Sequence, residues 1–145
     1  MSEQSSLPVV QLSRRFTFSA AHRLHNGSWS AERNRQVFGK CNNANGHGHN
    51  YTVLVSVLGP VDRESGMVIN LTDVKTEIAR VEKQLDHKHL DLDVPHFAHV
   101  VSTTENVAVF IWDELKKSPT IGHMLHKIQV WETENNVFVY KGKRV

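Results

Sequence analysis

Two stretches of the chain alternate apolar and polar residues with a period of two, which commits them to a sheet with one buried face. From Leu12 to His22 the even positions Leu12, Phe16, Phe18, Ala20 and His22 share one side of an extended chain. Gln11, Ser13, Arg15, Thr17 and Ser19 share the other, and Arg14 alone breaks the pattern. A second run, from about His47 to Leu58, puts Tyr51, Val53, Val55 and Val57 on one face and ends at Gly59-Pro60. Between Asn70 and Leu85 the period changes: Leu71, Val74, Ile78, Val81 and Leu85 form the stripe of an amphipathic helix, with Asn70 as its N-cap. Ser102-Thr103-Thr104-Glu105 fits a capping box, and the helix it opens carries Val107, Phe110, Ile111 and Leu115 until Pro119 stops it. Two short strands, about His123 to Glu132 and Val137 to Lys141, are joined through Glu134-Asn135-Asn136. The order β-β-α-α-β-β predicts an α+β fold, a four-stranded antiparallel sheet with two helices on one face. Its two open edges make self-association an expectation. Residues 25–46, rich in Gly, Asn and Ser, read as a long functional loop, and residues 1–8 as a flexible arm before a single domain over 9–145.

A chain of 145 residues has room for one ordinary domain and a sizeable core. With 17 Lys plus Arg against 15 Asp plus Glu the net charge is only +2, which argues against a nucleic-acid surface. No apolar run approaches the roughly 18 residues of a membrane span, and Met1 to Pro8 lacks the layout of a secretion signal. The single cysteine, Cys41, rules out an internal disulfide framework and suits a reducing, cytoplasmic compartment.

The unusual component is histidine, at 10 residues. His47 and His49 are two apart at the start of a strand, so both imidazoles project from one face, and Gly46 can make the turn into that strand. His22 ends the first strand on the face of Phe16 and Phe18. If the two strands pair as a hairpin, all three imidazoles meet, and three neutral imidazoles with an open position are a catalytic zinc's ligand set. Cys41 can be a buried small hydrophobe, a fourth ligand closing the site, or a thiolate base or nucleophile. Asp86 and His87 follow directly on the first helix as a carboxylate–imidazole couple. Glu132 lies on the even face of its strand with Ile128 and Val130, where a carboxylate needs a partner. A ligand edge of adjacent N–H donors would satisfy both its oxygens. Thr103, Thr104 and Glu105 start a helix whose N-terminus could also offer donors to a ligand.

Five segments carry a resemblance: Phe18 to Leu24, Phe38 to Tyr51, Leu85 to Asp93, Val101 to Val107 and Val130 to Thr133. On these the chain resembles the 6-pyruvoyl tetrahydropterin synthase family of tunnelling-fold pterin enzymes. The resemblance implies zinc ligands His22, His47 and His49, one Zn2+ per subunit, and a catalytic thiol at Cys41 assisted by Asp86 and His87. It implies Glu132 as the anchor of a pterin's amino-pyrimidine edge, with Thr103, Thr104 and Glu105 lining the same pocket. The implied reaction takes 7,8-dihydroneopterin triphosphate to 6-pyruvoyl-tetrahydropterin plus triphosphate, in tetrahydrobiopterin biosynthesis. The implied assembly is a homohexamer, a dimer of trimers with active sites between subunits. Ala44 stands where many relatives have proline, which bears on loop stiffness. A carboxy-tetrahydropterin synthase shares fold and zinc site, but its cysteine-to-histidine spacing is typically shorter than the five residues between Cys41 and His47. A non-catalytic zinc protein closed by Cys41 is the alternative from another class.

Overall fold

A computed structural model describes residues 6–145, and it is built on one long hairpin. Strand β1 (Val9–His22) pairs antiparallel with β2 (His47–Pro60) along its whole length, from Val9 opposite Pro60 to His22 opposite His47. Strand β4 (Leu125–Thr133) lies antiparallel on the other side of β2, and β5 (Asn136–Tyr140) pairs antiparallel with β4. The even positions of β1 and the odd positions of β2 share one face, as their alternation requires. Phe16, Phe18, Tyr51, Val53, Val55, Val57, Ile128 and Val130 are buried there. Helix α2 (Leu71–Leu85) covers β1 with Val74, Ile78, Val81 and Leu85. Helix α4 (Thr104–Lys116) covers β4 and β5 and packs on α2. Each fully buried leucine or isoleucine, such as Leu85, Ile111 or Ile128, contributes about 1.5–3 kcal/mol of transfer free energy.

The sheet differs from the expected four antiparallel strands. Among the described residues it has five, because β3 (Lys88–His89) pairs parallel with β1 at Ala20 and Ala21, which gives the order β3-β1-β2-β4-β5. Two residues are too few to show a period, so only the bonds around them reveal the strand. Asp86 Oδ1 accepts from the Ser19 N–H at 2.9 Å, and the His87 N–H donates to the Ser19 carbonyl at 2.6 Å.

The loop expected over 25–46 contains a helix, α1 (Ala31–Phe38), followed by a 3-10 turn at Gly39–Asn42. Ser30 caps α1 by accepting from the Arg33 N–H. Its one buried residue is polar: Asn34 accepts from the Asn26 N–H at 2.8 Å and donates back to the Asn26 carbonyl at 2.9 Å. A helix held by an amide has no apolar stripe to read. A one-turn helix, α3 (Leu90–Asp93), and a 3-10 turn (Pro95–Ala98) fill the path from β3 to α4. The strand expected from His123 begins at Leu125, after a 3-10 turn at Gly122–Met124. Asn70 caps α2 as expected, but Thr103 rather than Ser102 caps α4, accepting from the Asn106 N–H. Of the expected arm, residues 1–5 lie outside the described residues, and the Pro8 carbonyl is already tied to the Val61 N–H at 2.9 Å. No helix among the described residues is long and apolar enough to cross a membrane.

The Ser19 N–H, and after it the His87 ring, hold the Asp86 carboxyl below its ordinary range. A carboxyl lowered on folding stabilises the fold above its unfolded pKa and loses that contribution as pH falls through the folded value. Asp86→Asn should therefore lower stability near neutral pH, and the gap to wild type should close in acid, as read by urea denaturation across pH.

Candidate metal and catalytic site

His22 is the last residue of β1 and His47 the first of β2, and the register sets them directly opposite one another. His49, two residues on, returns to the same face opposite Ala20. The three rings therefore converge, with centroids 4.6 Å apart for His22 and His47, 4.7 Å for His47 and His49, and 5.2 Å for His22 and His49. Nε2 of His22 lies 3.1 Å from Nε2 of His47. Gly46 makes the close approach possible: at φ 73° it sits so near β1 that a Cβ would stand 2.8 Å from the His22 carbonyl oxygen. Tyr51 is fully buried beneath the rings and stacks on Phe18, centroid to centroid at 4.7 Å. Burial, then Glu132, raises its phenol well above the ordinary value, so it stays protonated.

Burial lowers the pKa of His22, against the opposing pull of its bond to Ser102, and burial likewise lowers that of His49 despite Glu132. Both imidazoles are thus biased to the neutral form that coordinates metals. His22 Nδ1 lies 2.6 Å from the Ser102 carbonyl, which turns its Nε2 toward the other two rings.

Glu132 enters the cluster from β4. The register of β4 on β5 shifts between Trp131 and Thr133, a bulge of the kind that re-aims a side chain. Thr104 Oγ1 donates to Glu132 Oε2 at 2.7 Å, and Glu132 Oε1 approaches His49 Nε2 at 2.7 Å. That second approach is not an aligned hydrogen bond, so the buried His49 Nε2 has no hydrogen-bond partner. One donor atom each from His22, His47, His49 and Glu132 lies within 4.8 Å of the others. The arrangement fits a metal ion on its own terms: neutral ring nitrogens converge, and one is buried without a partner. Two tetrahedral Zn–N bonds of about 2.05 Å place their nitrogens roughly 3.3 Å apart, close to the separation seen.

The other expected residues are placed less tightly. Cys41 is a half-buried free thiol in the 3-10 turn, its carbonyl bonded to the Leu24 N–H at 2.8 Å, and it is not among the converging donors. Asp86 and His87 are in contact at 2.9 Å, Asp86 half-buried and His87 open to solvent in a cleft that Ala20, Gly48, His49 and Asn50 also line. No bond joins the pair to Cys41 among the described residues. Thr103 is occupied as the α4 cap, Thr104 holds Glu132, and Glu105 is exposed. Sequence reasoning missed Tyr51 as the floor of the site, though its odd-face position in β2 signals it. It also missed Ser102 as the partner of His22, for which no local signal exists.

Comparison with known proteins gives a consistent result. The family model for 6-pyruvoyl tetrahydropterin synthase matches residues 11–143. The chain is 58% identical to the 6-pyruvoyl tetrahydrobiopterin synthase of Homo sapiens over 92% of each chain. It is 51% identical to that of Drosophila melanogaster, over 95% of this chain and 83% of the relative. The solved 6-pyruvoyl tetrahydropterin synthase of Caenorhabditis elegans superposes with a TM-score of 0.92 at 46% identity, covering 94% of this chain and 98% of the other. Since the match runs through both histidine-bearing strands and the glutamate facing them, the chain belongs to the 6-pyruvoyl tetrahydropterin synthase family of lyases.

Proposed function

We propose that this chain converts 7,8-dihydroneopterin triphosphate to 6-pyruvoyl-tetrahydropterin, releasing triphosphate, in tetrahydrobiopterin formation, with a zinc ion held by His22, His47 and His49. The observation that carries the reading is the convergence of three imidazoles, two with ring nitrogens 3.1 Å apart, beside a carboxylate. When bound there, zinc supplies Lewis acidity toward the substrate's side-chain oxygens and makes the neighbouring C–H bonds more acidic. The reaction is an internal redox transfer, in which the side-chain hydroxyls are oxidised, the ring is reduced and triphosphate leaves, so no outside reductant is needed.

In this reading the chain's own groups bind, orient and move protons. Glu132 takes the two adjacent N–H donors of the amino-pyrimidine edge, with its carboxylate oriented by Thr104, while Thr103 and Glu105 border the same space. Cys41, as thiolate, takes the side-chain proton. Asp86 keeps His87 oriented across 2.9 Å so that the imidazole can pass protons to and from the thiol. In this reading the couple meets the thiol of a neighbouring subunit, in a homohexamer of two trimers. Support for assembly comes from the open edges: β3 covers β1 only at Ala20 and Ala21, and Val137 and Val139 of β5 are exposed. A working thiol also suits the reducing cytoplasm.

Three measurements test the reading. Cys41→Ala should keep its zinc, measured by metal analysis, and lose triphosphate release by about 10²–10⁴-fold, the usual worth of general acid–base catalysis. Loss of zinc in this variant would instead make Cys41 a ligand. Glu132→Gln should also keep zinc but raise KM roughly 10- to 150-fold, as expected for a charge-assisted bond of about 1.5–3 kcal/mol. Chelation should abolish turnover in wild type, and added Zn2+ should restore it.

A further inference from the structure

The groups that hold His22 form a chain of their own. Its Nδ1 stands 2.6 Å from the Ser102 carbonyl, and a carbonyl only accepts, so Nδ1 carries the proton and Nε2 keeps the lone pair. The phenol of Tyr51 is a more distant neighbour of the same nitrogen, at 3.4 Å. Ser102 is completely buried, and its hydroxyl does not cap α4 but donates to Asp91 Oδ1 at 2.6 Å. The second oxygen of Asp91 accepts at 2.6 Å from the N–H of Arg23, the residue that follows His22. His89 Nδ1 lies 3.8 Å from that oxygen without a hydrogen bond. A single carboxylate on α3 thus grips both the backbone that carries His22 and the residue whose carbonyl orients its ring.

We propose that Asp91 is a positioning residue for the metal: through Ser102 and Arg23 it sets the tautomer and rotation of His22, so that Nε2 faces His47 and His49. The proposal rests on the zinc reading of the histidine cluster. Partners outside the ligand set of a metal-bound imidazole fix its orientation, and removing one typically weakens metal binding 10–100-fold. An ionised carboxylate suits this task because it accepts only, and both its oxygens are used here by donors. An asparagine would present an N–H to one of those two donors. Either the Arg23 N–H would face another donor, or the Ser102 hydroxyl would have to turn round to accept.

The experiment compares wild type, Asp91→Asn, Ser102→Ala and the double variant, by chelator competition for Zn2+ and by ¹⁵N NMR of histidine-labelled, metal-free protein. Asp91→Asn should bind Zn2+ roughly 10–100-fold more weakly than wild type, measured at a temperature where both are folded, and Ser102→Ala should shift in the same direction by less. The double variant should lose less than the product of the single losses, because both act along one path. In the NMR spectrum the wild-type His22 should show a single Nδ1–H tautomer, and the variants a mixture; a purely structural role for Asp91 would leave the tautomer unmoved. Wild-type zinc affinity and an unchanged tautomer in folded Asp91→Asn would overturn the proposal. If Asp91→Asn does not fold, the same two readouts on Ser102→Ala decide. Wild type that binds no Zn2+ would sink the zinc reading itself, an outcome separable from any difference among the variants.

Discussion

The register of β1 on β2, which sets His22 opposite His47, is the constraint on which the rest depends. Because side chains in a strand alternate faces, a slip of one residue would turn His47 and His49 away from His22 and expose Val53, Val55 and Val57 with them. Site and core therefore share one register, and the free energy that holds the histidines together comes mainly from the valines and aromatics further along the same strands. This explains why no strong interaction among the imidazoles is needed. Rings placed by a packed sheet wait at ligand spacing, and the cost of crowding them is met by burial elsewhere.

Burial of so many polar groups has to be offset locally. His22 and His49 are biased to the neutral form, Tyr51 keeps its proton, and Glu132 gains a hydroxyl from Thr104. Ser102 supplies the one acceptor that a neutral, metal-ready His22 needs on its far side. The polar layer thus draws on four places, the end of β1, the start of β2, the approach to α4 and the bulge in β4. The sheet and α4 bring these together.

What was legible in the sequence follows the same division. Leu12 to His22, Tyr51 to Val57 and the stripe Val74, Ile78, Val81 and Leu85 announce themselves, since each repeats a period that burial enforces. The histidine cluster followed from the two strand patterns once a hairpin was assumed. Three features left no periodic trace. Helix α1 is pinned by the amide of Asn34, β3 has two residues, and the cap of α4 falls on Thr103 because the Ser102 hydroxyl is committed to Asp91. Each depends on a contact with a residue elsewhere in the chain, and such contacts are invisible to local patterning. Glu132 was visible as an odd carboxylate on an apolar face, but its approach to His49 depends on a bulge that only the pairing with β5 reveals.

The couple of Asp86 and His87 shows how firmly the edge of the sheet can hold a single turn. His87 has φ 58°, in the left-handed region that histidine visits more readily than most residues but still at a cost. The 2.6 Å bond from its N–H to the Ser19 carbonyl holds it there, and the Ser19 N–H holds Asp86 ionised beside it. The outcome is a carboxylate and an imidazole preset at 2.9 Å on an open flank of the sheet. Strain of this kind persists only where the surroundings over-determine it, and here they do so at a position that buries no core residue. One residue of β1 therefore sets both groups at once, since the Ser19 carbonyl fixes the backbone of His87 and the Ser19 N–H fixes the carboxylate of Asp86.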